Sequence, residues 1–207
     1  MGKEREFTRE KLKAMGERTL DLLKNAIEAG EMEKAGKLAL RMYNEFSAMH
    51  DLYRDWLTDL FSYLGRRFGD EVLSESLEHT VSGFTKRLEN RYADKSAARK
   101  LEILAAGLRG HLQPLEIEED DEKFTIRLTP CGSGGRQVRD GLYDPPTDFL
   151  KIENPQPMTF DRPNFPVYCA HCFFQNITPI EPEGKPIFHV KPGEKIGEDP
   201  CSFFVYK

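Results

Sequence analysis

The sequence changes character over residues 114–136, which read PLEIEEDDEKFTIRLTPCGSGGR. Apolar and polar residues alternate on both sides of an acidic run, over residues 115–118 and 123–129. Alternation with a period of two around a polar turn is typical of a β-hairpin. Every proline of the chain lies at Pro114 or later, so the composition changes at the same point. These two changes predict a boundary between residues 113 and 114.

The residues before this boundary have the apolar spacing of α-helices. We expect helices over residues 7–29, 31–64 and 70–91, and a fourth that begins at Ser96. Gly30 and Gly65 are the expected ends of the first two helices. Asp70 and Ser96 are the expected N-caps of the last two. Four helices with short connections predict an antiparallel bundle or a similar helical lobe over residues 1–113.

The second predicted helix has an apolar face that is rich in aromatic residues. Apolar residues at helical spacing mark the side of a helix that packs against a core, so we expect this face to be buried. Its members are Leu40, Tyr43, Phe46, His50, Tyr53, Leu57, Leu60, Phe61 and Leu64, with Trp56 at its edge.

Residues 114–207 contain short apolar runs separated by glycine and proline residues. Beyond the hairpin, these runs predict extended segments at residues 166–168, 173–180, 187–190 and 202–206. The predicted fold class is therefore α+β. A helical lobe of about four helices covers residues 1–113, and a β-rich, zinc-ribbon-like lobe covers residues 114–207.

All four cysteines lie in the second predicted lobe, at Cys131, Cys169, Cys172 and Cys201. Cys169 and Cys172 form a C-x-x-C pair, which can place two sulfurs on one ion. Cys131 opens a glycine-rich loop after one predicted strand, and Cys201 precedes the last one, so the strands can bring both to the same ion. In a reduced compartment such cysteines indicate metal ligands. They predict a structural zinc site with four cysteine ligands.

Other interpretations of the cysteines remain open. Four thiolates can hold an iron–sulfur cluster, and His171 or His189 could replace one cysteine as a zinc ligand. Cys131 could act as a nucleophile, with a thiolate stabilised by its glycine turn and with His171 nearby. Cys169 and Cys172 could form a redox pair, although no helix is expected to begin after Cys169. The four thiols could also be unrelated and buried as small apolar groups.

A short motif around the first cysteine has a counterpart in a known family. Pro130-Cys131-Gly132-Ser133-Gly134 resembles the Pro-Cys-Gly-Ser-Gly part of the SEC-C zinc motif. The resemblance covers these five residues, and the neighbouring cysteines of that family have no counterpart in this sequence. It implies metal binding at this loop.

The same loop could also bind an anion. Gly134 and Gly135 offer backbone N–H groups and Arg136 offers a guanidinium, a combination that can hold a carboxylate or phosphate. A tight glycine turn beside the metal is the alternative interpretation. A small anionic ligand in a pocket between the two lobes is therefore one hypothesis from the sequence.

The histidines of the helical half suggest two further hypotheses. His50, His79 and His111 lie on or just after predicted helices and could form a second metal site; hydrogen-bonded or surface histidines are the alternative. His50 and Arg54, among aromatic residues, could line a small-molecule pocket. The alternative is a helical core with Arg54 at its rim.

The composition argues against some classes of binding partner and some cellular locations. A net charge of -5 without a basic cluster argues against nucleic-acid binding. No apolar stretch approaches the ~20 residues that span a bilayer, and the first residues lack an apolar signal core. We therefore expect a cytoplasmic protein.

Two functions are consistent with these features. The first is a zinc-binding protein with a structural four-cysteine site and a small-anion pocket. The second is a metal- or cysteine-dependent enzyme, of hydrolase or lyase type, that acts on a small anionic substrate. Its candidate catalytic residues are Cys131, His171 and His50, and its candidate substrate-binding residues are Arg136, Gly134, Gly135 and Arg54.

Overall fold

The computed structural model describes residues 7–178 and 186–207. It combines helices with a small antiparallel sheet, which confirms the α+β class. Contacts divide the chain into two compact units, Met1–Leu52 and Tyr53–Lys207. The lobe division between residues 113 and 114 stays a prediction.

Four helices come first along the chain, and strands alternate with short helices after them. The α-helices are α1 (Arg9–Gly16), α2 (Thr19–Glu28), α3 (Met32–Tyr92), α4 (Ala97–Arg109), α5 (Gly134–Arg139) and α6 (His171–Ile177). The strands are β1 (Leu115–Glu119), β2 (Lys123–Leu128), β3 (Lys151–Ile152), β4 (Phe165–Pro166), β5 (His189–Lys191) and β6 (Cys201–Tyr206). Short 3-10 helices cover Pro157–Thr159 and Val167–Ala170. The larger sheet has the order β1-β2-β6-β5 with antiparallel pairing throughout, and β3 pairs with β4.

Helix α3 differs from the prediction of two helices that meet at Gly65. The chain stays helical through Gly65, where a Cβ would stand 2.4 Å from the Leu150 Cδ2 atom; this glycine permits close packing and does not end the helix. The backbone leaves helical geometry at Gly69, with φ 84°, a conformation that costs glycine little. Asp70 follows the break, and its Oδ2 accepts a hydrogen bond of 2.7 Å from the Gln156 side chain. The predicted lobe of four separate helices is therefore not confirmed.

The first unit holds α1, α2 and the N-terminal part of α3. Its described buried residues are few: Thr19, Ala26 and Ala35. The Thr19 hydroxyl donates to the Glu45 carboxylate at 2.9 Å. The segment predicted as one helix over residues 7–29 is two helices, which end at Gly16 and Glu28.

The aromatic face of α3 is exposed, contrary to the prediction. Most of its members are large apolar residues in contact with solvent, and Phe61 is the buried exception at 4% exposure. In the second unit the buried side of α3 also carries Arg54, Thr58 and Ser62. The Thr58 hydroxyl donates to the Arg54 carbonyl at 2.7 Å and accepts from the Gln137 amide at 2.8 Å. The buried side of α3 therefore carries hydrogen-bonded polar groups, although the sequence predicted that its buried side would be apolar.

One core of the second unit lies between α4 and the larger sheet. The hairpin prediction is confirmed, since β1 pairs with β2 and Leu115 lies opposite Leu128. The last predicted strand is confirmed as β6. The buried residues of this core are Tyr92, Leu104, Ala105, Leu108, Phe124, Ile126, Leu128, Ile187, Val190, Phe203 and Val205.

A second core packs the C-terminal part of α3 against the long connections between residues 140 and 174. Its buried residues are Phe61, Leu73, Leu77, Val81, Tyr143, Phe149, Ile152, Met158, Val167, Ala170 and Phe174. The prediction of extended structure at residues 173–180 is wrong for the described residues up to Ile177, which form α6. Residues 179 and 180 lie outside the described residues. Phe173, Phe174 and Ile177 have spacings that fit a strand or a helix, and packing into this core selects the helix.

The turn of the β1–β2 hairpin is expected to make stability depend on pH through Asp120. The pKa of Asp120 is lowered from 3.8 to about 2. The largest cause is a hydrogen bond from the Glu122 backbone, followed by hydrogen bonds from the side chain and the backbone of Lys123. A carboxylate whose pKa falls on folding stabilises the folded state above its unfolded-state pKa, and this contribution disappears as pH falls through the folded-state value. Asp120→Asn, which resembles the protonated acid, should therefore lower the free energy of unfolding at neutral pH.

The difference in the free energy of unfolding between Asp120→Asn and the wild-type chain should shrink as the pH falls from about 4 to about 2. Urea unfolding at a series of pH values measures it. Asp121→Asn, in the same turn, is the matched control and should stay close to wild type. A difference for Asp120→Asn that is constant down to about pH 2 would contradict this role of the carboxylate.

Candidate metal centre

The four cysteines line one cavity of the second unit, with a volume of about 210 Å³. They come from four separate places in the fold. Cys131 lies in the loop between β2 and α5, and Cys169 lies in the 3-10 helix before α6. Cys172 is in the first turn of α6, and Cys201 begins β6. All four are free thiols.

Strand pairing explains how two of these distant cysteines reach the same cavity. Leu128 at the end of β2 pairs with Cys201 at the start of β6. Cys131 follows Leu128 by three residues, so it lies beyond the same end of the sheet. Cys131, Cys172 and Cys201 all pack against the core between the sheet and α4.

Buried glycines let the Cys131 loop approach the other cysteines. A Cβ at Gly134 would stand 2.6 Å from the Cys169 sulfur, and one at Gly135 would stand 2.9 Å from the Cys131 Cβ. Both distances are far shorter than van der Waals contact, so this packing requires glycine at both positions.

Gln113 ties the same loop to the end of α4. Its side-chain oxygen accepts from the Gly132 N–H at 2.7 Å, and its amide nitrogen donates to the Leu108 carbonyl at 2.8 Å. Gln113 is buried, so these bonds satisfy it. Sequence reasoning missed this residue because a single glutamine before a proline carries no pattern.

Backbone N–H groups point at two of the sulfurs. The Cys131 sulfur accepts hydrogen bonds from the backbone of Gly135 and Ser133. The Gly193 N–H donates to the Cys201 sulfur at 3.5 Å. Such bonds favour a thiolate over a thiol, since they stabilise the charged form.

Burial nevertheless keeps the thiols protonated in the absence of a cation. It raises the pKa of Cys172 and of Cys201 to about 12, and it is the largest cause of the raised pKa of Cys131 and of Cys169. The charges of the other three cysteines raise the pKa of Cys169 further. A cation in this cavity would favour the deprotonated form, because it would stabilise thiolates.

His171 is a neutral imidazole beside Cys172. Its Nδ1 contacts the Tyr168 carbonyl, and because a carbonyl oxygen can only accept, Nδ1 carries the proton. Its Nε2 is then an acceptor and lies 3.7 Å from the Cys172 sulfur. Burial lowers the pKa of His171. This ring can accept the thiol proton of Cys172 or serve as a ligand.

The arginines of the predicted anion pocket are placed differently from its glycines. Gly134 and Gly135 line the cavity, whereas Arg136 and Arg54 are not among its described lining residues. The Arg136 Nε donates to the Gly132 carbonyl at 2.9 Å. Arg54 is buried, and its Nε donates to Asp55 at 2.8 Å. Both guanidiniums therefore bond to the protein itself, and the anionic ligand stays a prediction.

The three predicted histidines of the helical half lie in different surroundings. His111 lines the same cavity as the cysteines, and His79 is exposed. His50 belongs to the first unit, where its Nδ1 lies 3.0 Å from an Asp51 carboxylate oxygen. Over residues 7–178 and 186–207, no group of three or more histidine, cysteine or acidic residues is arranged to hold a metal ion. The predicted histidine site is therefore not found there.

The absence of a group that is arranged to hold a metal ion, over the described residues, also concerns the cysteines. The four cysteines line the cavity, but over the described residues they form no group that is arranged to hold a metal ion. Cys131 as a nucleophile next to His171 also stays a prediction, since the free ring nitrogen of His171 faces Cys172.

The expectation that no helix begins after Cys169 is wrong. Helix α6 begins at His171, two residues after Cys169, although the sequence predicts no helix there. The short apolar segment Val167–Ala170 forms a 3-10 turn that leads directly into α6. The argument from sequence against a redox role for this pair is thereby removed.

Comparisons with known proteins give no assignment. No family model, curated protein or solved structure matches this chain. Within the part of the chain that the structure describes, none of the helices is both long enough and apolar enough to span a membrane.

Proposed function

We propose that the chain is a metal-binding protein in which Cys131, Cys169, Cys172 and Cys201 hold a thiolate-bound metal centre. The observation that supports it is the convergence of four thiols, from four separate elements, on one cavity. Backbone N–H groups at Cys131 and Cys201 are already oriented to stabilise thiolates. The centre is structural in this proposal, since it would join β6, α6, the 3-10 helix before α6 and the loop after β2.

Zinc is the first candidate for this centre. It prefers tetrahedral thiolate ligands, and the short resemblance of residues 130–134 to the SEC-C motif supports it. Zn–S bonds of ≈ 2.3 Å would place the sulfurs about 3.8 Å apart.

An iron–sulfur cluster is the second candidate. Such a cluster also uses four cysteine thiolates. Its ligands would be the same four residues.

The alternative of a cysteine-dependent enzyme has weaker support. The Nε2 atom of His171 lies beside Cys172, so Cys172 would be a better nucleophile than Cys131. Burial raises the pKa of Cys172 to about 12 and lowers the pKa of His171. A neutral thiol beside a neutral imidazole is a poor nucleophile.

Metal analysis of each Cys→Ser variant tests the proposal. We expect the protein, purified anaerobically or reconstituted, to hold either about one zinc per chain or iron with acid-labile sulfide and visible absorption. Cys201→Ser should lose most of this metal, because serine is a poor ligand for either centre. His189→Ala, in an exposed residue outside the cavity lining, is the control and should keep it.

The metal found decides between the two centres. Zinc without iron rejects the cluster, and iron with equal sulfide rejects zinc. The proposal as a whole fails if the reconstituted protein holds no metal, or if each of the four serine variants binds as much as the wild-type chain.

A further inference from the structure

A patch of large apolar side chains is exposed on α3 within the second unit. Between 41% and 66% of the surface of each residue is in contact with solvent. Two of the rings, those of Tyr53 and Trp56, stack on each other with centroids 6.4 Å apart. We call it the α3 patch, and its members are Tyr53, Trp56, Leu57, Leu60 and Tyr63.

The spacing along this helix is that of a helix–helix interface. Tyr53, Trp56, Leu60 and Tyr63 follow one another at steps of three, four and three residues. Alternating steps of three and four give the 3.5-residue repeat that keeps one seam facing a partner helix.

The chain's own core does not account for the patch. The buried side of α3 in this region carries Arg54, Thr58, Phe61 and Ser62. A helix with polar residues on its buried side and large apolar residues on its exposed side reverses the usual arrangement of a surface helix. Exposed apolar patches of this size mark sites of protein association.

The exposed area reaches the lower limit of what a specific dimer needs. At roughly 200 Å² for a fully exposed large side chain, the α3 patch presents roughly 500 Å². Two copies would bury roughly 1,000 Å² in total, which is about the least that a specific interface buries. A two-fold dimer places the same surface of both chains in contact, and a heptad seam is complementary to itself. The repeat thus supplies both halves of the interface.

We propose that the α3 patch is a homodimer interface, in which a second copy of this chain packs its own α3 helix against the first. The proposal is independent of the metal centre, since no residue of the patch lines the cavity of the cysteines among its described lining residues.

Trp56 gives a direct readout of this interface because it is the only tryptophan in the sequence. We expect the full-length chain to be a dimer by light scattering at micromolar concentration. The emission of Trp56 should shift to longer wavelength on dilution, as the indole becomes exposed. Leu60→Glu keeps the tryptophan and places a charge in the seam. It should raise the dissociation constant about thirtyfold or more.

Ile117→Glu is the matched control, because Ile117 on β1 is as exposed as Leu60 but lies outside the patch. It should dimerise like the wild-type chain, and circular dichroism should show that both variants are folded. A wild-type chain that stays monomeric, with the emission of an exposed indole at every concentration, overturns the proposal. So does an oligomer that Leu60→Glu leaves intact, since its interface would lie elsewhere.

Discussion

Removal of the metal by a chelator is expected to lower the free energy of unfolding by about 4 kcal/mol, relative to protein with free metal at about 1,000 times the dissociation constant. The effect is large because the centre would join β6, α6, the 3-10 helix before α6 and the loop after β2. Val167, Ala170 and Phe174, which flank Cys169 and Cys172, belong to the second core. Loss of the centre should therefore weaken that core as well.

Hydrogen exchange and urea unfolding measure this effect. Exchange should accelerate most around residues 129–136 and 167–174 when the metal is removed. Cys169→Ser, at the buried member of the set, is the control: it should already have the lower stability, and the chelator should not change it further. Equal stability of the wild-type chain with and without chelator would contradict a structural role for the metal.

Gly134→Ala is expected to destabilise the protein and to disturb the cavity. The new Cβ would stand 2.6 Å from the Cys169 sulfur and 3.0 Å from a ring carbon of Tyr168. Because Cys169 is buried and Tyr168 is half-buried, the loop must shift, which costs about 1–3 kcal/mol. A shift of the loop also moves Cys131, so we expect reduced metal content in the same variant.

Gly107→Ala provides the matched control on α4. Gly107 also lines the cavity, but a Cβ there would have nothing within 4 Å. Alanine is favoured over glycine within a helix by roughly 0.5–1 kcal/mol, so this variant should be more stable than the wild-type chain. Urea unfolding and metal analysis of the pair check both expectations. Equal stability of the two variants would show that the loop adapts freely.

The elements that the sequence predicted correctly are those whose residues follow a regular pattern along the chain. The strict alternation around residues 115–129 identifies the β1–β2 hairpin, because each residue of a strand faces the side opposite to its neighbour. The position of Cys131 after one strand and of Cys201 before another placed both near the same sheet end. Pairing of Leu128 with Cys201 is the contact that fulfils this expectation.

Tertiary contacts decided the elements that the sequence predicted wrongly. Gly65 resembles a helix stop, but its missing side chain makes room for Leu150, which lies far away in the chain. Phe173 and Phe174 fit a strand equally well until the second core selects α6. The spacing on α3 identified an apolar face correctly, yet spacing cannot say whether that face meets the same chain or another molecule.

The acidic β1 strand also affects how copies of the protein can meet. β1 is an edge of the larger sheet, and free strand edges invite pairing with a neighbouring molecule. Glu116, Glu118 and Glu119 are exposed along it. Charged side chains along an edge oppose its pairing with a second strand, so strand-to-strand aggregation through β1 is disfavoured, and self-association is left to other surfaces.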